Sequence, residues 1–329
     1  MTEQSYFTGP FAPMCELFVK QRRIAGSLYE ARAIVLRQFD NFCKDFEVKN
    51  YAITEEIILA YSVRRPNEAD NTRRERLSTV QSFAGFLVGQ GYPSYLSMEI
   101  PKRTSQHIPY IFTKEELKRF FGRVDNITPV KTTNADLMFP LLFRTLYCCG
   151  LRVSEANSLL KRDVDIEDGV LRVRHGKNNR ERIVPMSDSL LAEYRKFISE
   201  MHSETTGDMP FFYTRNQTKY SEHTISTRFR HFLWDIDIPY RGRLLGPRLH
   251  DLRYTFICHN IQRWAEQGIP IHTKLPALSK YVGHATVTST QWYLKLTAEA
   301  FPHIREICER ELAGLYTAIL AFEEDERDE

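Results

Sequence analysis

The sequence predicts a mainly α-helical protein with one small antiparallel β-sheet, arranged as a helical first domain and a mixed α+β second domain. Apolar residues recur at helical spacing through most of its 329 residues. A cluster of short β-rich segments, turned by an Asp-Gly pair, falls between Val164 and Pro185. The basic stretch Ile100–Ile111 (IPKRTSQHIPYI) has two prolines and no apolar period, which reads as a linker.

Residues 1–100 form the first domain. Phe11–Ile24 and Thr54–Val63 carry weaker helical patterns. Ser27 with Glu30 spells a capping box, followed by Leu28, Ala31, Val35, Phe39 and Phe42 at helical spacing. Thr72 with Glu75 spells another, followed by Leu77, Val80, Phe83, Ala84, Leu87 and Val88, and Gly91 supplies the stop. Arg73, Arg74 and Arg76 crowd that helix start, as a solvated face or as phosphate contacts. The linker, residues 101–112, brings Lys102 and Arg103, whose charge suits a segment lying along a DNA backbone.

The second domain, residues 113–302, opens on a third capping box, Thr113 with Glu116. Leu137–Cys149 is an apolar helix that Gly150 ends, and Ser154 is placed to cap the next one. Strands are expected at Val164–Glu167, Val170–Arg174 and Arg182–Pro185, with turns at Asp168-Gly169 and Gly176–Asn179. Helices resume at Asp188. Residues 303–329 end the chain with an apolar stripe, Ile304, Ile307, Cys308, Leu312, Leu315, Ile319 and Phe322, and an acidic tail expected to be disordered. The stripe has two destinations, its own domain or a neighbouring protomer.

Composition narrows the function classes. Apolar and charged contents of 42% and 26% are ordinary for a globular protein. No apolar run approaches the ~20 residues of a membrane span, and MTEQSYFTGP lacks the layout of a secretory signal, so a cytoplasmic protein without membrane association is expected. The six cysteines, Cys15, Cys43, Cys148, Cys149, Cys258 and Cys308, form no CxxC pair, which argues against zinc and disulfides. The net charge of +3 hides an asymmetry: the last seven residues carry six acids and one arginine, net −5, leaving +8 on residues 1–322. A basic body with an acidic tail fits DNA binding.

Four features in the second domain carry chemistry. Gly150-Leu-Arg152-Val-Ser-Glu155 places Arg152 in a tight bend, with Glu155 able to hold its guanidinium. Lys177 sits at the tip of the second hairpin, His175-Gly-Lys-Asn-Asn-Arg180. His250-Asp-Leu-Arg253 puts His250 and Arg253 on one helix face, with Leu249, Leu252 and Phe256 toward the core. Gly283-His284 precedes Tyr293 by nine positions. Taken singly, each is more often a surface arginine, a solvated lysine or a packed tyrosine.

In this order they resemble the active-site signature of the tyrosine recombinase (phage integrase) family, from about Thr113 to Tyr293. The resemblance implies a helical core-binding (SAM-like) domain and a catalytic domain clamping duplex DNA, with Arg152, Lys177, His250, Arg253, His284 and Tyr293 as the catalytic set. Leu275–His284 and Gln291–Leu294 look more like integrases of transposons and tandem recombinase clusters than like Xer resolvases. Three departures are an insertion around Trp264–Lys274, Tyr254 where a His is common, and Cys148 and Cys149 before Gly150.

The implied reaction is DNA strand exchange, for integration, excision or transposition of a mobile element. Tyrosine, with a reference pKa of about 10, needs help to become a nucleophile. Arg152 and Arg253 would clamp the phosphate oxygens, His284 would add a donor, and His250 would serve as base or phosphate ligand. Lys177 would protonate the leaving 5′-oxygen. The 3′-phosphotyrosine conserves bond energy, so no nucleotide or metal cofactor is expected. The implied partners are double-stranded DNA and further protomers, a tetramer on paired sites or an assembly with sister recombinases. The rival readings are a non-catalytic DNA-binding relative and a type IB topoisomerase.

Overall fold

A computed structural model describes residues 6–26, 29–102, 108–174, 181–203, 205–239, 242, 246–284, 288–311 and 313. The chain divides into two compact units, Met1–Gln106 and His107–Glu329.

The first unit is helical: α1 (Ala12–Ile24), α2 (Glu30–Phe42), α3 (Glu55–Ser62) and α4 (Asp70–Gly89). Its core is aromatic, with Phe11, Phe18, Phe39 and Phe83 buried alongside Leu36, Leu77 and Leu87. A buried carboxylate fixes the way in: Asp40 of α2 accepts from the backbone N–H groups of Gly9 and Phe11 at 2.7 and 2.8 Å. Thr54 caps α3, accepting from Ile57 N. Ser27, the expected cap of α2, lies outside the described residues.

Thr72 does not cap α4. The helix starts two residues earlier, at Asp70, with Ala69 extended before it. The anchor is a buried ion pair, and it also corrects the expectation for Arg76. That guanidinium donates to Glu68 through Nε (2.7 Å) and Nη2 (2.8 Å), and to the carbonyls of Tyr61 and Val63. Glu68 neutralises Arg76, and side-chain exposures of 3% and 4% enclose the pair, so Arg76 is a structural cation and not an open one. Breaking such a pair strands a buried charge, at a cost of about 3–5 kcal/mol.

The second unit begins with α5 (Lys114–Asp125), whose capping box forms as expected: Glu116 N donates to Thr113 Oγ1 and Thr113 N to Glu116 Oε2. Helix α6 (Ala135–Cys148) buries Met138, Phe139, Leu142, Phe143 and Leu146, and ends where Gly150 turns left-handed at φ 58°. After the short α7 (Val153–Asn157) come β1 (Val164–Asp165), β2 (Val170–Val173) and β3 (Arg182–Pro185), an antiparallel sheet in the order β1-β2-β3. Asp165 pairs with Val170, so Ile166–Gly169 all lie in the first turn and the strand is shorter than expected. The cause is local: Asp165 Oδ1 accepts from Asp168 N at 3.0 Å, closing the loop before the Asp-Gly pair is reached. The second turn, 176–179, lies outside the described residues.

Helices α8 (Asp188–Met201), α9 (Glu222–Trp234), α10 (Asp251–Glu266), α11 (Ile271–Val282) and α12 (Thr288–Ala300) complete the unit. Helix α10 is central, with Leu252, Ile257, Cys258 and Ile261 fully buried. Beyond α12 the chain folds back on its own unit. Ile304 and Cys308 are buried with Ile271, Leu275 and Leu294, and Glu311 accepts from His272 N (2.9 Å) and Nδ1 (2.8 Å) at the start of α11. Leu312, Leu315, Ile319, Phe322 and the acidic tail lie outside the described residues. Among the described residues no helix is long and apolar enough to cross a membrane.

Candidate active site

Two glycine turns and the first turn of α10 converge in the second unit. At Gly150 a Cβ would sit 2.5 Å from the Phe256 ring, so both the positive φ and the space demand glycine. The bend leaves Arg152 extended as the residue before α7. Ser154 lies inside α7 and does not cap it. Glu155 takes that part, because its carboxylate accepts from Arg152 N at 3.0 Å while gripping Arg152 Nη1 at 2.6 Å. Arg152 keeps a 22% exposed side chain; that of Glu155 is 1% exposed.

The second turn follows α11. Gly283 (φ 70°) donates to Lys280 O, and His284 N to Ser279 O at 2.9 Å, a Schellman-type end that holds His284 in place. Arg253, on the first turn of α10, ties the two glycine turns together: Nη1 donates to Gly150 O at 2.6 Å and Nη2 to Val282 O at 2.5 Å. It is 1% exposed. Burial, and then the charge of Arg152, push its pKa down to about 10, which still leaves it protonated at neutral pH.

Tyr293 comes from α12. Its ring stacks on His284 with centroids 5.3 Å apart, and its hydroxyl stands 3.4 Å from His284 Nε2, a long contact. Burial raises the phenol well above its ordinary range, and the Arg253 guanidinium pulls it back by charge and hydrogen bonding. His284 is pushed down to about 4 by burial, then by Arg253 and Arg152, so it is a neutral imidazole at pH 7. Its Nδ1 is buried without a hydrogen-bond partner among the described residues. Tyr254, one of the departures from the family pattern, lies between His250 (4.9 Å) and Tyr293 (5.6 Å) and also meets Trp292 (5.4 Å).

The structure thus brings together Arg152, Glu155, Arg253, His284 and Tyr293. His250 is exposed, with its ring edge-on to Tyr254. Lys177 lies outside the described residues. The flanking strand supplies a residue that the sequence motifs did not mark. Arg182, first in β3, donates Nη1 and Nη2 to the two oxygens of Glu155 at 3.0 and 2.8 Å, and Nε to Tyr281 O at 2.9 Å. Its signal was the strand alternation: Arg182 shares the inward parity of buried Val184, while Ile183 between them is 57% exposed. Two arginines on one carboxylate hold Glu155 down at about 2, fully ionised. Elsewhere, in the first unit, Arg73 donates to Ser62 O and Arg74 to Pro101 O, and Lys102 is exposed. Arg103 lies outside the described residues.

The arrangement is a phenol beside a neutral imidazole, under two guanidiniums of which one is structural and one partly open. Residues 111–300 match the model of the phage integrase family. The putative integrase/recombinase y4rB of Sinorhizobium fredii is 31% identical over 270 residues, 78% of this chain and 84% of that protein. The tyrosine recombinase XerA of Pyrococcus furiosus is 27% identical over 281 residues, 84% of this chain and 87% of XerA. In fold, the chain is similar to the Tn1549 transposon integrase solved with transposon right-end DNA, at a TM-score of 0.62 and 16% identity, covering 90% of this chain and 98% of that one.

Proposed function

The chain belongs to the phage integrase family and is a tyrosine-type site-specific recombinase, and we propose that Tyr293 is the residue that takes the DNA strand, in the service of a mobile element. The observation that carries this is the placement of the Tyr293 phenol against His284 and within the field of Arg253. Tyr254 also lies in the field of Arg253, but among the described tyrosines it is Tyr293 that stacks on His284. Arg152, Arg182 and Arg253 outnumber the one carboxylate, Glu155, and a DNA phosphodiester brought to Arg152 and Arg253 supplies the missing negative charge. The phenolic oxygen attacks phosphorus, the bond to the 5′-oxygen breaks, and a 3′-phosphotyrosine forms.

The phenolic proton leaves toward the histidines, with His250 at the open side as its acceptor or as a phosphate ligand. Lys177 gives a proton to the departing 5′-oxygen. Rejoining reverses the step with a new 5′-hydroxyl, and because the phosphotyrosine keeps the bond's energy, no nucleotide is consumed. Arg152 and Arg253 supply the positive charge at the phosphate, so the step proceeds in a chelator. Protomers act in a tetramer on paired sites or with sister recombinases, in the cytoplasm.

Random-sequence DNA lets the test run without a defined target. The protein is mixed in EDTA with a pool of nicked random-sequence duplexes, and DNA surviving denaturation on the protein is sequenced. The expected result is a selected sequence recovered by wild type and absent with Tyr293→Phe. Adduct retained by Tyr293→Phe overturns the assignment. Adduct without sequence preference, with relaxation of any supercoiled plasmid, favours a type IB topoisomerase.

A further inference from the structure

We propose that Arg182 is a positioning residue for strand cleavage, which neutralises Glu155 so that Arg152 stays a net cation facing the phosphate. This rests on the proposed role of Arg152 and adds a residue outside the set with which the DNA reaction was assigned. Glu155 is a buried carboxylate only three positions from Arg152. Left as a pair, the two charges would cancel: an isolated carboxylate inside a protein draws its partner into a bidentate fork. Arg152 would then turn its guanidinium inward and offer a phosphate little charge.

The geometry shows how this is avoided. Arg182 takes both carboxylate oxygens in parallel bonds, whereas the Arg152 guanidinium meets only one of them, through Nη1, the backbone N–H of Arg152 meeting the other. The other amino group of Arg152, Nη2, is 3.4 Å from Gly283 O, too long to hold it strongly. Arg182 is the more enclosed partner, at 11% exposure against 22% for Arg152, as expected of a fixed support beside a working group. Arg182 also braces the other side of the site. Its Nε holds Tyr281 O just before the Gly283 turn, and a Cβ on Gly283 would stand 2.9 Å from Arg182 Nη1. One side chain therefore sets both the charge on Arg152 and the bed on which Gly283-His284 lies.

The experiment measures single-turnover formation of the covalent adduct on the selected duplex, with affinity read by gel shift and folding by thermal melt. Wild-type adduct tests the recombinase reading, whereas comparison among variants tests Arg182. Arg182→Gln is expected to slow adduct formation about 100-fold while binding the duplex within roughly threefold of wild type. Adding Glu155→Gln removes the charge that Arg182 opposes, so the double variant is expected to regain at least about tenfold of that rate. A residue that only stabilised the fold would recover rate only in step with the melting temperature and the affinity, which the melt and the gel shift of both variants read. Wild-type cleavage by Arg182→Gln, or a double variant no faster than the single one, overturns the proposal. Should Arg182→Gln lack a cooperative melt, Arg182→Lys decides. It keeps the charge, and a rate between wild type and about 100-fold down is expected, whereas a complete loss overturns the proposal.

Discussion

Replacing Arg253 by alanine should damage the fold and the reaction together, whereas replacing Arg152 should damage the reaction almost alone. Arg253 is enclosed and donates to Gly150 O and Val282 O, the carbonyls that set the two glycine turns. Alanine strands both. Each buried acceptor without a partner costs about 1–3 kcal/mol, or roughly 4 kcal/mol together. In a domain of this size 1 kcal/mol moves the melting temperature by about 2–4 °C, so a fall of roughly 8–16 °C is expected for the second unit. Arg152 is partly open, and its loss leaves Glu155 with both bonds from Arg182. Its alanine variant should melt within about 4 °C of wild type. Both should lose cleavage by about 100-fold or more, since each guanidinium meets charge that develops in the transition state. Calorimetric melts of the full chain, beside the adduct assay, test this. Arg253→Ala melting within about 2 °C of wild type, or Arg152→Ala falling as far as Arg253→Ala, would refute the division of roles.

Other perturbations separate these assignments from their alternatives. Thr113→Ala should cost about 1 kcal/mol by removing a formed cap, whereas Thr72→Ala should be near neutral because Thr72 lies within α4; equal effects in chemical denaturation would contradict the assignment of these helix starts. On acidification, stability should fall in two windows. His284 is held at about 4 against an unfolded value near 6.5, so its contribution is whole above that value and is lost as pH falls toward 4. Glu155, held at about 2, loses its contribution between its unfolded value of about 4.5 and 2. His284→Asn should flatten only the upper window, leaving the part due to buried His202 and half-buried His259, whose pKa values desolvation also lowers; an unchanged slope in melting temperature against pH would contradict it. A chain ending at Pro302 loses the burial of Ile304 and Cys308 and the contacts of Glu311 on α11, so it should melt several degrees lower as free protein. An unchanged melt would instead place that segment on a partner.

The elements most legible in the sequence were those with strong local signals. The Thr113 capping box, the stop at Gly150 and the three β-segments needed only residues a few positions apart. The proposed catalytic residues were legible only as an ordered set, in which Arg152 and His284 follow glycine turns and Arg253 opens a helix. Thr72 misled because its Thr-x-x-Glu spelling is local, while the true start of α4 is fixed by the buried Glu68–Arg76 pair. The same pair hid the character of Arg76: an arginine near a helix start looks solvated until Glu68 and the Tyr61 and Val63 carbonyls are brought to it. Ser154 misled in a similar way, since Glu155 closes the turn with the longer side chain. Arg182 went unread because its partners are Glu155, 27 positions away, and Tyr281, 99 positions away. Only the inverted alternation with Ile183 marked it in sequence.

The proposed reaction stands or falls on the phenolic oxygen of Tyr293 carrying the cut strand. Digesting the denatured adduct with protease and nuclease leaves a nucleotidyl-peptide that mass spectrometry can sequence. One modified peptide is expected, bearing a nucleotide through its 3′-phosphate on Tyr293, with a free 5′-hydroxyl on the released strand. A nucleotide on any other side chain, or one linked through a 5′-phosphate, would contradict it.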